Sequence, residues 1–224
     1  MNKINIVKVK YNDIEIKDNE GAKLRGFFGK TFMDVDYFHN HSEDGIIYRY
    51  PLIQYKVIEN KPTIVLLKRA CEIAYRYNVV DKIIIEDKEL ISEDISVQIK
   101  KTYFGCSDKI LKYRFVTPWI GLNQNNIYKY NKIDDNDEKI KLLEKIIIGN
   151  ILSLSKGVDY RVNKRINVII DKDSIENKKV YFKGKKMLAY HLDFYVNFVI
   201  PDDIGIGKAC SRGFGSLKRI NIDE

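Results

Sequence analysis

The sequence predicts an α+β fold of two ferredoxin-like (RRM-like) α/β sandwich domains in tandem, spanning residues 1–98 and 99–224. Three observations predict it. Strand and helix patterns follow the order β-α-β-β-α-β through the first half of the chain, which is the order of one such sandwich. From about Lys100 a strand-then-helix pattern starts again, richer in strands. The length, 224 residues, suits two small cores, since domains cluster at roughly 100–150 residues.

The first strand is the apolar run Ile4 to Val9, and the first helix follows where Leu24, Phe27 and Phe28 share a face. After an irregular segment, Asp34 to Gly45, come a long strand from Ile46 to Ile58 and a second at Thr63 to Leu67, with Asn60-Lys61-Pro62 as the turn. Ala70, Ile73, Ala74 and Tyr77 recur at helical spacing, and Ile83-Ile84-Ile85 forms the closing strand. In the second half Leu111 to Phe115 reads as a strand that must bend or end before Pro118. An asparagine-rich connection leads to the clearest helix, between Asp137 and Lys156. There Ile140, Leu143, Ile147, Ile151 and Leu154 form a stripe, acids cluster at the start, and Gly157 closes the end. Ile166 to Ile170, Val180 to Phe182 and Met187 to Ile200 are further strands, with Lys183-Gly184-Lys185 as a hairpin turn.

Composition narrows the function classes. Hydrophobic residues make up 45% and charged residues 31% of the chain, a balance that buries a core and excludes disorder. No apolar run approaches the ~20 residues of a bilayer span, and no signal peptide precedes the first strand, so no membrane and a cytoplasmic location are expected. Cys71, Cys106 and Cys210 are odd in number and far apart, which suggests reduced thiols and neither a disulfide framework nor a cysteine zinc site. A net charge of +8 favours a polyanionic partner, because lysines and arginines that neutralise phosphates release condensed counterions.

Two segments carry chemistry. Near the C-terminus, Gly205-Ile206-Gly207-Lys208-Ala209-Cys210-Ser211-Arg212-Gly213-Phe214-Gly215 can bring backbone N–H groups close to phosphates, with Lys208 and Arg212 adding charge. It lacks the ending of a P-loop, and a structural glycine turn explains the same residues equally well. Near the N-terminus, Phe38-His39-Asn40-His41 places two of the three histidines of the chain within three positions, with Lys30 upstream and Tyr48 and Tyr50 downstream. RNA transesterification needs a base for the 2′-OH proton, an acid for the leaving 5′ oxygen and a cation for the phosphorane. Histidine, with an ordinary pKa of ~6.5, serves as either base or acid. Two other readings stay open: a metal site of the His-x-His pair with Asp34, Asp36, Glu43 and Asp44, or a polar surface loop. His191, in an apolar strand, reads as structural. Strand parity sends Ile53, Tyr55 and Val57 toward the core and Tyr48, Tyr50, Gln54 and Lys56 to the other face, which lets Tyr48 face a ligand, while a cross-strand or interface aromatic explains Tyr50 and Tyr55 equally well.

With these residues the chain resembles the CRISPR repeat-processing endoribonucleases of the repeat-associated mysterious protein superfamily. The glycine-rich run is one match; Phe38 to His41, Tyr48 to Lys56 and Leu24 to Lys30 are the other, and they resemble the subgroup with paired N-terminal histidines. Asn123 to Lys186 carries no match. The resemblance implies a tandem ferredoxin-like fold and one metal-independent, cofactor-free cut per CRISPR repeat, leaving a 5′-OH and a 2′,3′-cyclic phosphate. It implies His39 and His41 as the catalytic pair, Lys30 as the cation and Tyr48 as a positioning or proton-transfer partner. Gly205, Gly207, Lys208, Ser211, Arg212, Gly213, Gly215 and Tyr50 would contact the RNA, with Lys218 and Arg219 as weaker candidates. The expected partner is the precursor transcript, then subunits of a CRISPR effector complex; a non-catalytic RNA-binding subunit is the alternative. Exposed aromatics near a β-edge are compatible with a homodimer.

Overall fold

The structure, a computed structural model, describes residues 1–17, 20–31, 41–42, 45–46, 50–72 and 80–221. In chain order they form β1 (Asn2–Tyr11), α1 (Gly21–Thr31), β2 (His41–Ser42), β3 (Gly45–Ile46), β4 (Ile53–Ile58), β5 (Lys61–Leu67), β6 (Lys82–Ile85), β7 (Lys88–Ile91), β8 (Ile95–Phe115), α2 (Gln124–Lys132), α3 (Asn136–Gly157), β9 (Val168–Ile170), β10 (Glu176–Phe182), β11 (Lys185–His191), β12 (Asp193–Val199) and β13 (Leu217–Ile220). They divide into two compact units. One is Lys3–Thr102 with Ser211–Gly213; the other is Met1–Asn2 with Tyr103–Cys210 and the segment from Phe214 on. Each is ferredoxin-like, and the long strand β8 contributes its first part to one and its second part to the other.

In the first unit the strand order is β4-β5-β1-β8. Val7 pairs with Leu66 and Tyr55 with Ile64, both antiparallel. The apolar residues Ile4, Ile6, Val7, Val9 and Tyr11 are buried along β1, as a strand flanked on both sides requires. The helix α1 buries Leu24 and Phe28 against this layer, and the Phe28 ring stacks on Tyr55 with centroids 5.5 Å apart. The β4–β5 turn is tighter than expected: Glu59 and Asn60 adopt φ of 54° and 59°, the signature of a two-residue hairpin turn. Pro62 therefore falls inside β5, opposite Val57. The helical pattern expected from Ala70 to Tyr77 lies largely outside the described residues, and Lys68–Ala70, which lead into it, form a 3₁₀ turn.

In the second unit the order is β13-β8-β12-β9. The predicted helix is α3, whose N-terminus is capped by Asp135 accepting the Glu138 N–H at 2.8 Å. Its stripe Leu143, Ile147, Ile151 and Leu154 is fully buried. The asparagine-rich stretch, expected as a connection, instead holds α2. Asn123 is its cap, accepting the Asn126 N–H at 2.8 Å, so the residue that signalled a loop starts a helix. The single strand expected from Met187 to Ile200 is two, broken at Leu192, because β11 pairs with β10 while β12 pairs with β8 and β9. Aromatic rings fill the core: Trp119 stacks on Phe115 at 5.1 Å, and Phe104 meets Phe198 edge-on at 5.1 Å.

Candidate RNA interface

In the first unit, α1 carries Lys30 in its last turn, exposed. The helix ends at Thr31, whose hydroxyl donates to the Phe27 carbonyl at 3.0 Å. The backbone of His41 stands in β2, opposite Ile46. His39, Tyr48 and the His41 side chain lie outside the described residues, as do Asp34, Asp36, Glu43 and Asp44.

The face of β4 expected to meet ligand is not open. Ile53, Tyr55 and Val57 are buried as expected, but Gln54 and Lys56 are buried completely as well. Tyr50 is 7% exposed, and its hydroxyl accepts a 2.6 Å hydrogen bond from Gln54 Nε2. Its ring presents no free face on which a base could stack. The period-2 rule assigns two faces to a strand and cannot tell that both are covered.

The glycine-rich segment is built around Trp119. Gly207 has φ of 89° and Gly215 of 63°, conformations that L side chains avoid. A Cβ on Gly207 would come within 2.5 Å of Trp119 Nε1, and one on Gly215 would collide with the Ile206 carbonyl. The Trp119 indole N–H donates to Asn150 Oδ1 at 3.0 Å, tying the segment's anchor to α3. Three backbone donors of the segment already have partners: Ile206 N–H gives to Gly215 O at 2.9 Å, Lys208 N–H to Ile120 O at 3.0 Å and Gly215 N–H to Pro118 O at 3.0 Å. Packing thus gives Gly207 and Gly215 a structural reason of their own, the alternative that the sequence left open. The cationic side chains differ. Lys208 is exposed, with its ammonium 5.9 Å from the Phe182 ring centroid. Ser211, Arg212 and Gly213 belong to the first unit, and burial, then the charge of Arg25, lowers the Arg212 pKa. Lys218 and Arg219 lie exposed on β13.

Sequence reasoning passed over the β10–β11 hairpin as a candidate for RNA contact. It bears Lys178, Lys179, Lys183, Lys185 and Lys186, all exposed, and a Tyr181 that is 73% exposed. Register places Tyr181 opposite Lys186, and Phe182 opposite Lys185. Opposite residues share a face, so each face of the tip combines an aromatic ring with a lysine. Phe182 also meets Phe214 edge-on at 6.1 Å. Among the described residues Lys178 pairs with Glu176 at 3.0 Å, whereas Lys179, Lys183, Lys185 and Lys186 make no ion pair. Rings interleaved with cations suit stacked bases and their phosphates. The density of lysines around Gly184 was visible in the sequence; their common exposure was not.

The base of this hairpin is pinned. Arg114 holds Asp193 with two bonds of 2.7 and 2.8 Å, and Lys112 bonds Asp171 at 2.9 Å. The Asp193 N–H donates to Ser174 Oγ at 2.8 Å and the Asp171 N–H to the Asp193 carbonyl at 3.0 Å. Burial pushes the Asp193 carboxyl up, but hydrogen bonding to Arg114 and the charges of Arg114 and Lys112 outweigh it and hold its pKa below the usual value. His191 is structural, as expected, with Nδ1 2.9 Å from the Phe115 carbonyl. Cys71, Cys106 and Cys210 are buried thiols outside any disulfide, and burial pushes the Cys71 thiol up to about 11. No helix among the described residues is long and apolar enough to cross a membrane.

Comparison with known proteins matches the Cas6b N-terminal domain family over residues 2–102 and the Cas6b C-terminal domain family over residues 105–220. An uncharacterized protein of Methanocaldococcus jannaschii is 41% identical over 123 residues, covering 55% of this chain and 82% of that protein. A crystal structure of Cas6b is 33% identical with a TM-score of 0.90, covering 97% of this chain and 100% of the other. A second, a CRISPR RNA processing endoribonuclease Cas6b, is 32% identical with a TM-score of 0.77 over the same shares.

Proposed function

Since the chain belongs to the Cas6b family, we propose that it is the endoribonuclease that cuts CRISPR repeat RNA in precursor transcripts, by attack of the RNA's own 2′-OH and without a metal ion. The observation that carries this reading is the match of both halves of the chain to one family whose solved member is described as a CRISPR RNA processing endoribonuclease, in a chain that carries the His39–His41 pair.

In this reading one histidine of the pair takes the proton from the 2′-OH as the O2′–P bond forms. The other gives a proton to the 5′ oxygen as the P–O5′ bond breaks. Lys30 neutralises the charge that accumulates on the phosphorane, and Tyr48 positions the substrate. The products are a 2′,3′-cyclic phosphate and a 5′-OH. Lys208, Arg212 and the hairpin lysines hold the RNA backbone, and Tyr181 stacks on a base. With transcripts as substrate, the site of action is the cytoplasm.

The test is incubation of the purified protein with 5′-labelled repeat RNA in chelator, beside the same RNA with one 2′-deoxy residue 5′ to the mapped cut. A single cut in the first, none in the second, and a loss of roughly 10²–10⁴-fold in His39→Ala or His41→Ala are the expected results. Cleavage of the deoxy substrate, or its abolition by chelator, would instead make water on a metal ion the nucleophile. Binding without cleavage would make the protein an RNA-binding subunit.

A further inference from the structure

We propose that the open edge of β8 in the first unit, residues 93–101, pairs with the same edge of a second copy of this chain, antiparallel and with Val97 on the two-fold axis. The surface lies outside both motifs, and the inference stands whatever the protein cuts.

The two parts of β8 are flanked differently. β12 pairs with it between Gly105 and Arg114, and β13 between Lys112 and Phe115. Its first part has β1 on one side, where the Asn12 N–H donates to the Asp94 carbonyl at 2.8 Å. On the other side, among the described residues, no strand pairs with residues 95–102. Residues 96–101 are all exposed, so neither face of this stretch is covered. Val97 is 47% and Ile99 56% exposed, and with Ile95 they alternate onto one face. The result is an apolar row beside outward-pointing backbone N–H and C=O groups, which is a template for another strand.

The order of residues along the edge selects that strand. Residues directly opposite in an antiparallel pair point their backbone groups the same way, both toward the partner or both away. That direction alternates along a strand, so a strand paired with its own copy has its axis through a residue. With the axis at Val97, Ile95 faces Ile99, Ser96 faces Gln98, Asp94 faces Lys100 and Glu93 faces Lys101, each pair occurring twice. Apolar residues then meet on one face, and both acids meet both lysines. Moving the axis by one residue sets Ile95 against Lys101 or Glu93 against Ile99. Lysines on an edge ordinarily ward off pairing. Here acids at the other end of the same stretch match them, and only an antiparallel copy brings the two ends together. Among the described residues Glu93, Asp94, Lys100 and Lys101 make no ion pair within the chain. Pairing joins the β4-β5-β1-β8 order of one copy to that of the other in one continuous sheet.

The experiment is sedimentation of the full chain without RNA. A contact this narrow belongs to the weak class of interfaces, so from about 1 to 100 µM the mass should rise from one copy toward two. Val97→Lys sets two ammonium groups opposite each other on the axis and should weaken association at least about tenfold. Its melting temperature at the lowest concentration should not change, because the side chain is exposed. Lys101→Glu should weaken association about tenfold, and Glu93→Lys in the same chain should restore it. Val97→Cys reads the register. Cys71, Cys106 and Cys210 are buried, so mild oxidation should link two copies through position 97, where opposite Cα atoms stand about 4.5–5.5 Å apart. Gln98→Cys should give no link. A chain that stays monomeric to about 100 µM would overturn the inference and leave the edge guarded or kept for a different protein. Association that Val97→Lys leaves unchanged, or crosslinking through Gln98→Cys in place of Val97→Cys, would overturn it as well. None of these outcomes bears on cleavage, which the labelled-RNA assay reads separately.

Discussion

The glycine-rich segment and the β10–β11 hairpin are both basic, yet they are built in opposite ways. The segment carries a recognisable motif, but Gly207 and Gly215 make room for Trp119 and the surrounding backbone donors are engaged with Pro118, Ile120 and Gly215. The hairpin carries no motif, forms a two-stranded sheet of its own joined to Trp119 through Tyr190, and exposes lysines and a tyrosine from a base fixed by Arg114, Lys112, Asp171 and Asp193. A motif can therefore mark a scaffold, while exposed cations and rings sit on an element that any basic, β-prone sequence could form.

The largest expected effect tests the scaffold role. Gly207→Val meets both a φ of 89° and the Trp119 ring, and strain and overpacking of ~2 kcal/mol each suggest a loss of about 4 kcal/mol. Chemical denaturation checks it; undiminished stability with lost RNA binding would return Gly207 to the phosphate-contacting role. Next comes the hairpin's base. Asp193→Asn takes the carboxylate from Arg114, whose side chain is more than half exposed, and should cost about 1–2 kcal/mol at pH 7. The folded pKa of Asp193 is held below its unfolded value, so its contribution is complete above pH ~4 and disappears as pH falls through the folded pKa. Melting curves at pH 7 and pH 3 should therefore show the gap between variant and wild type narrowing in acid; a constant gap would mean that the charge is not the cause.

The surface of the hairpin should behave differently from its base. Replacing Lys179, Lys183, Lys185 and Lys186 together by alanine is expected to weaken RNA binding about 100-fold at moderate salt, with a shallower salt dependence. Stability should change little, because these side chains are exposed and, among the described residues, make no ion pair. Equal binding by this variant would confine recognition to the glycine-rich side. The smallest effect is Tyr181→Ala, about tenfold in affinity from one lost stacking contact and independent of salt. A salt-dependent loss would show instead that the ring only positions neighbouring lysines.

Much of the fold was legible because its signals are local. The stripe of α3, the strands β1 and β6 and the turn at Lys183–Gly184 follow from periodicity and turn chemistry between near neighbours. Boundaries failed where one residue type serves two purposes, as Asn123 does, or where a change of strand partner ends an otherwise unbroken apolar run, as at Leu192. For the candidate site, the sequence located Lys30, Lys208 and Arg212 as cations and placed His39 and His41 near one another. It did not show that Tyr50 is buried or that the hairpin's lysines are exposed, because exposure depends on what covers a residue from elsewhere in the chain.

By itself, then, the sequence determined the order and type of the elements, the basic character of the protein and the kinship that its two motifs express, all of which depend on residues within a turn or two of one another. Only the tertiary structure decided that Trp119 claims Gly207 and Gly215, that Gln54 and Lys56 are enclosed, and that Arg212 comes to rest against the start of α1 nearly two hundred residues earlier. Those outcomes depend on which distant surfaces exclude water from each other, and spacing along the chain carries no record of that.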